Sequence, residues 1–154
     1  MKKTFTILSI EDNEPDFVLL EKALNTITDV TLNIINISNG REALDFIYKI
    51  NVHQNAPTPD IIILDINLPY ISGKEILKKI KEDEKYKKIP VIMLSSSSHT
   101  VDIEDAYNLH ANSYIIKSFD IKNLFKKISD TGKYWLKTSE LPAINYFIKK
   151  NDKE

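Results

Sequence analysis

Two kinds of apolar pattern alternate along the chain. Short β-rich or apolar runs at residues 4–10, 61–64, 89–94 and 113–117 have the composition of strands. The block Ile61-Ile62-Ile63-Leu64 is apolar at every position, which suits a strand covered on both faces as in a parallel sheet. Residues 30–38 alternate more and are more polar, as expected of a sheet edge.

Between these runs, apolar residues recur three and four apart and predict amphipathic helices. The sets are Phe17, Leu20, Leu24 and Ile27; Ala43, Phe46, Ile47 and Ile50; Ile76, Leu77 and Ile80; and Leu124, Phe125 and Ile128. A weaker set through Ile103, Ala106 and Tyr107 predicts a helix over 99–110.

Local chemistry supplies the boundaries. Pro15 suits a first helical turn, Asn39-Gly40 turns the chain, and Ser72 and Asp120 are placed to cap helices. Residues 51–59 are polar with two prolines and read as a loop, and the charge run over 78–88 reads as a solvated helix face.

Five strand–helix units in strict alternation imply a doubly wound parallel sheet with right-handed crossovers and helices on both faces. At 154 residues the chain is long enough for one domain and short for two. A tail over 139–150, with Leu141, Ile144, Phe147 and Ile148 at helical spacing, needs a surface to pack on, either its own domain or a second subunit. The stretch after Trp135 is too short for a DNA-binding domain.

Composition narrows the chemistry. A net charge of -1 gives no electrostatic reason to expect nucleic acid. The lack of cysteine excludes thiolate metal sites and cysteine nucleophiles. Nothing resembles a signal peptide or a membrane span, so a cytoplasmic protein is expected.

The distinctive residues fall where the strands end: Glu11-Asp12 after the first, Asp65 after the third, Ser95 after the fourth and Lys117 at the fifth. In such a sheet these ends share one edge, where ligands bind. An acid at one strand tip either caps a loop or lines a site, and a lone lysine or serine there is ordinary. Their joint placement is not.

Clustered carboxylates repel one another unless a proton or a cation intervenes, and Mg²⁺ suits a few carboxylates beside a phosphate. A lysine and a hydroxyl supply what a phosphoryl group requires, and an aspartate can attack phosphorus to form an acyl phosphate.

Four motifs carry a specific resemblance: Ile10-Glu11-Asp12-Asn13; Leu64-Asp65-Ile66-Asn67-Leu68-Pro69 with Gly73; Pro90-Val91-Ile92-Met93-Leu94-Ser95; and Tyr114-Ile115-Ile116-Lys117. Over residues 4 to about 135 the chain resembles the receiver domain of two-component response regulators, related to the chemotaxis response regulator. That implies a flavodoxin-like sheet of order 2-1-3-4-5, a receiver over 1–137, a partly helical extension over 138–154 and no separate output domain.

A narrower likeness is to small regulators that partner phytochrome-type histidine kinases. It rests on the proline-containing loop over 55–60, on Leu109-His110-Ala111-Asn112-Ser113-Tyr114, and on Tyr134-Trp135-Leu136 with Leu141-Pro142.

The resemblance implies that Asp65 is the phosphoacceptor and that Asp12 binds Mg²⁺ directly. Glu11 would hold a metal-bound water and Asn67 would offer its backbone carbonyl to the ion. Ser95 would bond the phosphoryl oxygen, Lys117 would pair with it, and Tyr114 would be the aromatic switch. The implied partners are a sensor histidine kinase, a downstream protein, and a second copy of the chain through the fourth helix, fifth strand, fifth helix and tail.

The family usually carries proline after the lysine, commonly with a cis bond, and this chain has Ser118. A non-proline cis bond costs roughly 2.5–4 kcal/mol, so a trans bond with a shifted loop or a strained cis bond is expected. Two rival readings remain: a phosphorylation-independent docking module with the same fold, and a Mg²⁺-dependent phosphohydrolase. The second generally needs another acid where this chain has Asn67.

Overall fold

In the computed structural model, residues 1–144 are described. Five parallel strands form one sheet: β1 (Lys3–Ile10), β2 (Val30–Ile37), β3 (Ile61–Leu64), β4 (Val91–Ser95) and β5 (Ser113–Ile116), in the order β2-β1-β3-β4-β5. The five helices between and after them are α1 (Glu14–Leu24), α2 (Gly40–Tyr48), α3 (Gly73–Glu82), α4 (Thr100–Asn108) and α5 (Ile121–Lys133). This is the doubly wound, flavodoxin-like order that the motifs implied.

The strand sequences explain their positions. Every residue of β3 and β4 is buried, as unbroken apolar runs demand at the centre of a sheet with two covered faces. The more polar β2 lies at an edge and alternates between exposed and half-buried over its first residues.

Alternate residues then feed two separate apolar layers. Leu8, Ile62, Leu64 and Met93 face α2, α3 and α4, whereas Ile7, Ile61, Ile63 and Ile92 face α1 and α5. Each fully buried Ile or Leu contributes roughly 1.5–3 kcal/mol, so these layers fix the register of the sheet.

Caps set where the helices start. Asn13, Asn39, Ser72 and Asp120 each accept a backbone N–H from the first turn of α1, α2, α3 and α5 respectively, and Pro15 occupies the first turn of α1. Ser72 and Asp120 thus serve as expected.

Several residues depart from the helical pattern. Helix α2 ends when Lys49 turns left-handed (φ 57°), so Ile50 falls beyond it and is exposed rather than buried. Tyr107 points to solvent, because α4 buries only Ala106 fully. Phe125 is half-buried, and the loop after α2 contains a short 3₁₀ turn, Asn51–His53. Within the charge run Ile80 and Tyr86 are buried and the charged side chains face solvent, apart from Lys81, whose Nζ reaches the carbonyls of Lys87 (3.1 Å) and Ile89 (2.7 Å) and Oδ1 of Asn112 (2.9 Å).

After α5 a π-helical turn, Tyr134–Thr138, lays Trp135 and Leu136 against the α1/α5 layer, and Leu141 joins them. Ion pairs Lys137–Asp29 (3.4 Å) and Lys3–Glu140 (3.7 Å) then hold the chain beside the starts of β1 and β2. Ile144 is buried in the opposite layer, with α2 and α3, so this stretch packs on its own domain. Phe147 and Ile148 lie outside the described residues. Among the described residues no helix is long and apolar enough to cross a membrane.

Candidate functional site

The backbone ladder continues one residue past three strand ends. Glu11 N–H donates to Ile37 O (3.1 Å), Asp65 N–H to Ile10 O (3.1 Å) and Lys117 N–H to Ser95 O (2.8 Å). Sheet hydrogen bonding, not loop geometry, thereby brings Glu11, Asp65 and Lys117 to one edge.

The following turn packs tightly beneath Asp65. Gly73 N–H donates to Ile66 O (2.8 Å), and a Cβ at this position would stand 1.9 Å from the carbonyl oxygen of Asp65. Only glycine allows α3 to start so close to the strand tip.

Lys117 Nζ donates to three carboxylates: Glu11 (2.7 Å), Asp16 (2.9 Å) and Asp65 (3.0 Å). Its three protons are thereby fully used. The other oxygen of Glu11 accepts Asn13 N–H (3.0 Å), so Glu11 is locked from both sides. Carboxylate oxygens of Glu11, Asp12 and Asp65 all lie within 4.8 Å of one another. Glu11 and Asp65 are buried, whereas Asp12 is exposed.

Electrostatics reflect this crowding. Burial pushes the Glu11 carboxyl up to about 7, because desolvation outweighs its share of the Lys117 ammonium. Burial also works against the charge of Lys117, but its bonds to Glu11 and Asp16 prevail and hold it above the ordinary lysine value. One ammonium serves several acids, which leaves a surplus of negative charge. An all-oxygen donor set of this kind fits a hard divalent cation such as Mg²⁺.

Of the remaining expected residues, Ser95 is fully buried at the end of β4, and its Oγ accepts Ser97 N–H (3.4 Å). Asn67 is exposed, with its N–H 3.4 Å from Asp65 Oδ1. Tyr114 is half-buried against the α2/α3/α4 layer, and its hydroxyl donates to Ser97 O (2.9 Å). Burial raises the pKa of that hydroxyl and keeps it a donor.

All peptide bonds among the described residues are trans, including the one before Ser118. Ser118 shapes the loop by accepting Asp120 N–H on its Oγ (3.1 Å), and Asp120 in turn caps α5 through Asn123 N–H (3.2 Å). Lys117 therefore reaches the acids without a proline behind it.

Asp16 is a site residue that the sequence motifs do not single out. Spacing along the chain does not mark it: its carboxylate comes from the first turn of α1, and its partner Lys117 arrives 101 residues later, just past β5.

Residues 7–129 match the response regulator receiver domain family. The chain belongs to that family.

Response regulator Rcp1 of Synechocystis sp. is 37% identical over 137 residues, which cover 89% of this chain and 92% of Rcp1. The crystal structure of the phosphorylated cyanobacterial phytochrome response regulator RcpA superposes with a TM-score of 0.87 at 37% identity, covering 91% of this receiver and 99% of RcpA. The Mn²⁺-bound form of Rcp1 gives the same TM-score of 0.87 and 37% identity, with 90% and 99% covered. This receiver is thus a two-component signalling domain, homologous to phytochrome response regulators. That likeness supports partnership with a histidine kinase. Receiver domains bind a divalent metal at an acidic pocket, and the Glu11–Asp12–Asp65 cluster is consistent with Mg²⁺.

Proposed function

We propose that this receiver takes a phosphoryl group from a sensor histidine kinase of the phytochrome type onto Asp65. The observation that carries the reading is the placement of Lys117 Nζ within 3.0 Å of Asp65 beside the Glu11–Asp12–Asp65 cluster. One carboxylate oxygen of Asp65 attacks phosphorus in line. The bond from phosphorus to the kinase histidine breaks, its electron pair returns to the imidazole, and an acyl phosphate forms.

Asp12, Asp65 and the Asn67 carbonyl, with Glu11 through a water, would hold Mg²⁺, which when bound would neutralise charge on the phosphoryl oxygens. Lys117 leaves the Asp65 carboxylate to pair with the transferred group, while Glu11 and Asp16 keep its ammonium at the site. Ser95 donates its hydroxyl to a phosphoryl oxygen, and Tyr114 follows the movement of the β4–α4 loop. The acyl phosphate thereby biases a two-state equilibrium of the face formed by α4, β5 and α5. That face and the tail after α5 are the surfaces for a downstream protein or a second copy, and the chain acts in the cytoplasm as a phosphoacceptor and not as an enzyme.

Incubation with Mg²⁺ and acetyl phosphate should label the native chain and leave Asp65→Asn unlabelled. Equal labelling of both would overturn the assignment. Tight partner binding that ignores Asp65→Asn would instead favour the docking-module reading.

A further inference from the structure

Lys74 is the second residue of α3, where the positive end of the helix dipole disfavours a cation. Its side chain leaves that end and crosses to α4. Nζ donates to Asp102 Oδ1 (2.6 Å) and to Asp105 Oδ2 (2.8 Å), two acids three residues apart on one face of α4. All three side chains are partly shielded from solvent, and the bond to Lys74 lowers the Asp102 carboxyl below its usual range.

The pair does not stand alone. The other oxygen of Asp102 accepts the hydroxyl of Ser97, and that hydroxyl accepts His99 N–H (3.3 Å). The backbone of Ser97 meets the expected phosphoryl-binding hydroxyl and the expected switch: its N–H lies on Ser95 Oγ (3.4 Å) and its carbonyl accepts Tyr114 Oη (2.9 Å). At the other end, Lys74 follows Gly73, which is pressed against the Asp65 carbonyl. A polar chain therefore runs from Lys74 through Asp102 and Ser97 to Ser95 and Tyr114, and the backbone at Gly73 seats its first member close to the strand tip bearing Asp65.

We propose that Lys74 is a positioning residue, clamping the β4–α4 loop onto the start of α3 and holding Tyr114 inward. Contacts made in this arrangement stabilise it relative to any arrangement that breaks them. Isolated exposed ion pairs contribute little, but here one ammonium bridges two acids and a hydroxyl continues the network. By reciprocity, if acceptance of a phosphoryl group favours the inward arrangement, the clamp favours acceptance. That last step rests on the function proposed for Asp65, whereas the clamp itself does not.

The test uses the full chain with Lys74→Met, Lys74→Arg, Asp102→Asn and the Lys74→Met/Asp102→Asn double variant. Ring resonances of Tyr114 are recorded by NMR with isotopically labelled tyrosine, without any phosphodonor. Labelling rates are then measured with Mg²⁺ and acetyl phosphate. Lys74→Met should shift the Tyr114 ring signals and lower the labelling rate by roughly fivefold. Lys74→Arg should retain most of both properties, and the double variant should be no worse than the worse single one.

Unchanged Tyr114 signals in folded Lys74→Met, or fully additive effects in the double variant, would overturn the clamp. Should Lys74→Met fail to fold, Asp102→Asn and Asp105→Asn carry the same measurement. Labelling of Asp65→Asn would refute the phosphoacceptor assignment, yet the donor-free Tyr114 signals would still decide the clamp.

Discussion

Replacing Lys117 by alanine removes the one ammonium bonded to Glu11, Asp16 and Asp65. Glu11 and Asp65 have side-chain exposures of only 5% and 8%, so solvent would not take over from the lysine. Asp16, at 35%, would rehydrate and matter little. Removing one partner of a buried pair costs roughly 3–5 kcal/mol, and that is the expected loss of stability at pH 8.

The loss shrinks in acid. Glu11 has its folded pKa raised from 4.5 to about 7, so the folded state binds the extra proton between those values. This group therefore weakens the fold as pH rises through that window. Without Lys117 the carboxyl titrates higher still, and the variant goes on losing stability above pH 7, by at most about 1.4 kcal/mol per pH unit. At pH 5.5 Glu11 is protonated with or without the lysine, and the deficit should fall to about 1–2 kcal/mol.

Urea denaturation followed by the fluorescence of the single tryptophan, Trp135, measures both values, and saturating Mg²⁺ should restore part of the loss at pH 8. A deficit below about 1 kcal/mol at pH 8, or one equal at both pH values, would refute the electrostatic argument.

Other consequences are as direct. Gly73→Ala forces a Cβ into the Asp65 carbonyl and should cost about 3 kcal/mol or more, against a tolerance of about 0.5 kcal/mol that urea melts would resolve. Since a metal ion requires ionised ligands, Mg²⁺ affinity by calorimetry should fall up to about tenfold from pH 7 to pH 6, and Glu11→Gln should flatten that slope. Lys81→Met strands the Ile89 carbonyl and one acceptor site of Asn112, for an expected loss of about 1–3 kcal/mol in thermal or chemical denaturation.

Local pattern was enough for much of this receiver, and the reasons are physical. Ile61–Leu64 could sit only where both faces are covered, and Ser72 and Asp120 could cap because their side chains need only their own first turn. The strand-end acids and Lys117 were legible together, because a doubly wound sheet brings all its strand ends to one edge.

Ile50 breaks the pattern because an apolar residue at the right spacing says nothing about where a helix stops, and Lys49 turns left-handed first. Lys81 is hidden in a charge run because its acceptors arrive from the β4 entry and from the residue preceding β5. Asp16 and the Lys74–Asp102 bridge depend on distances between elements, which spacing along one element cannot carry.

The passage of the chain past the starts of β1 and β2 bears on how the domain comes apart. The sheet separates two apolar layers that could loosen one at a time, yet Leu136 and Leu141 belong to one and Ile144 to the other. Peeling α5 away draws the following segment taut and lifts Ile144 out of the far side. Slow amide exchange in α2 and α5 should then report a common opening, and the segment 134–144 ties the cooperativity of folding to a stretch remote from the acidic crevice.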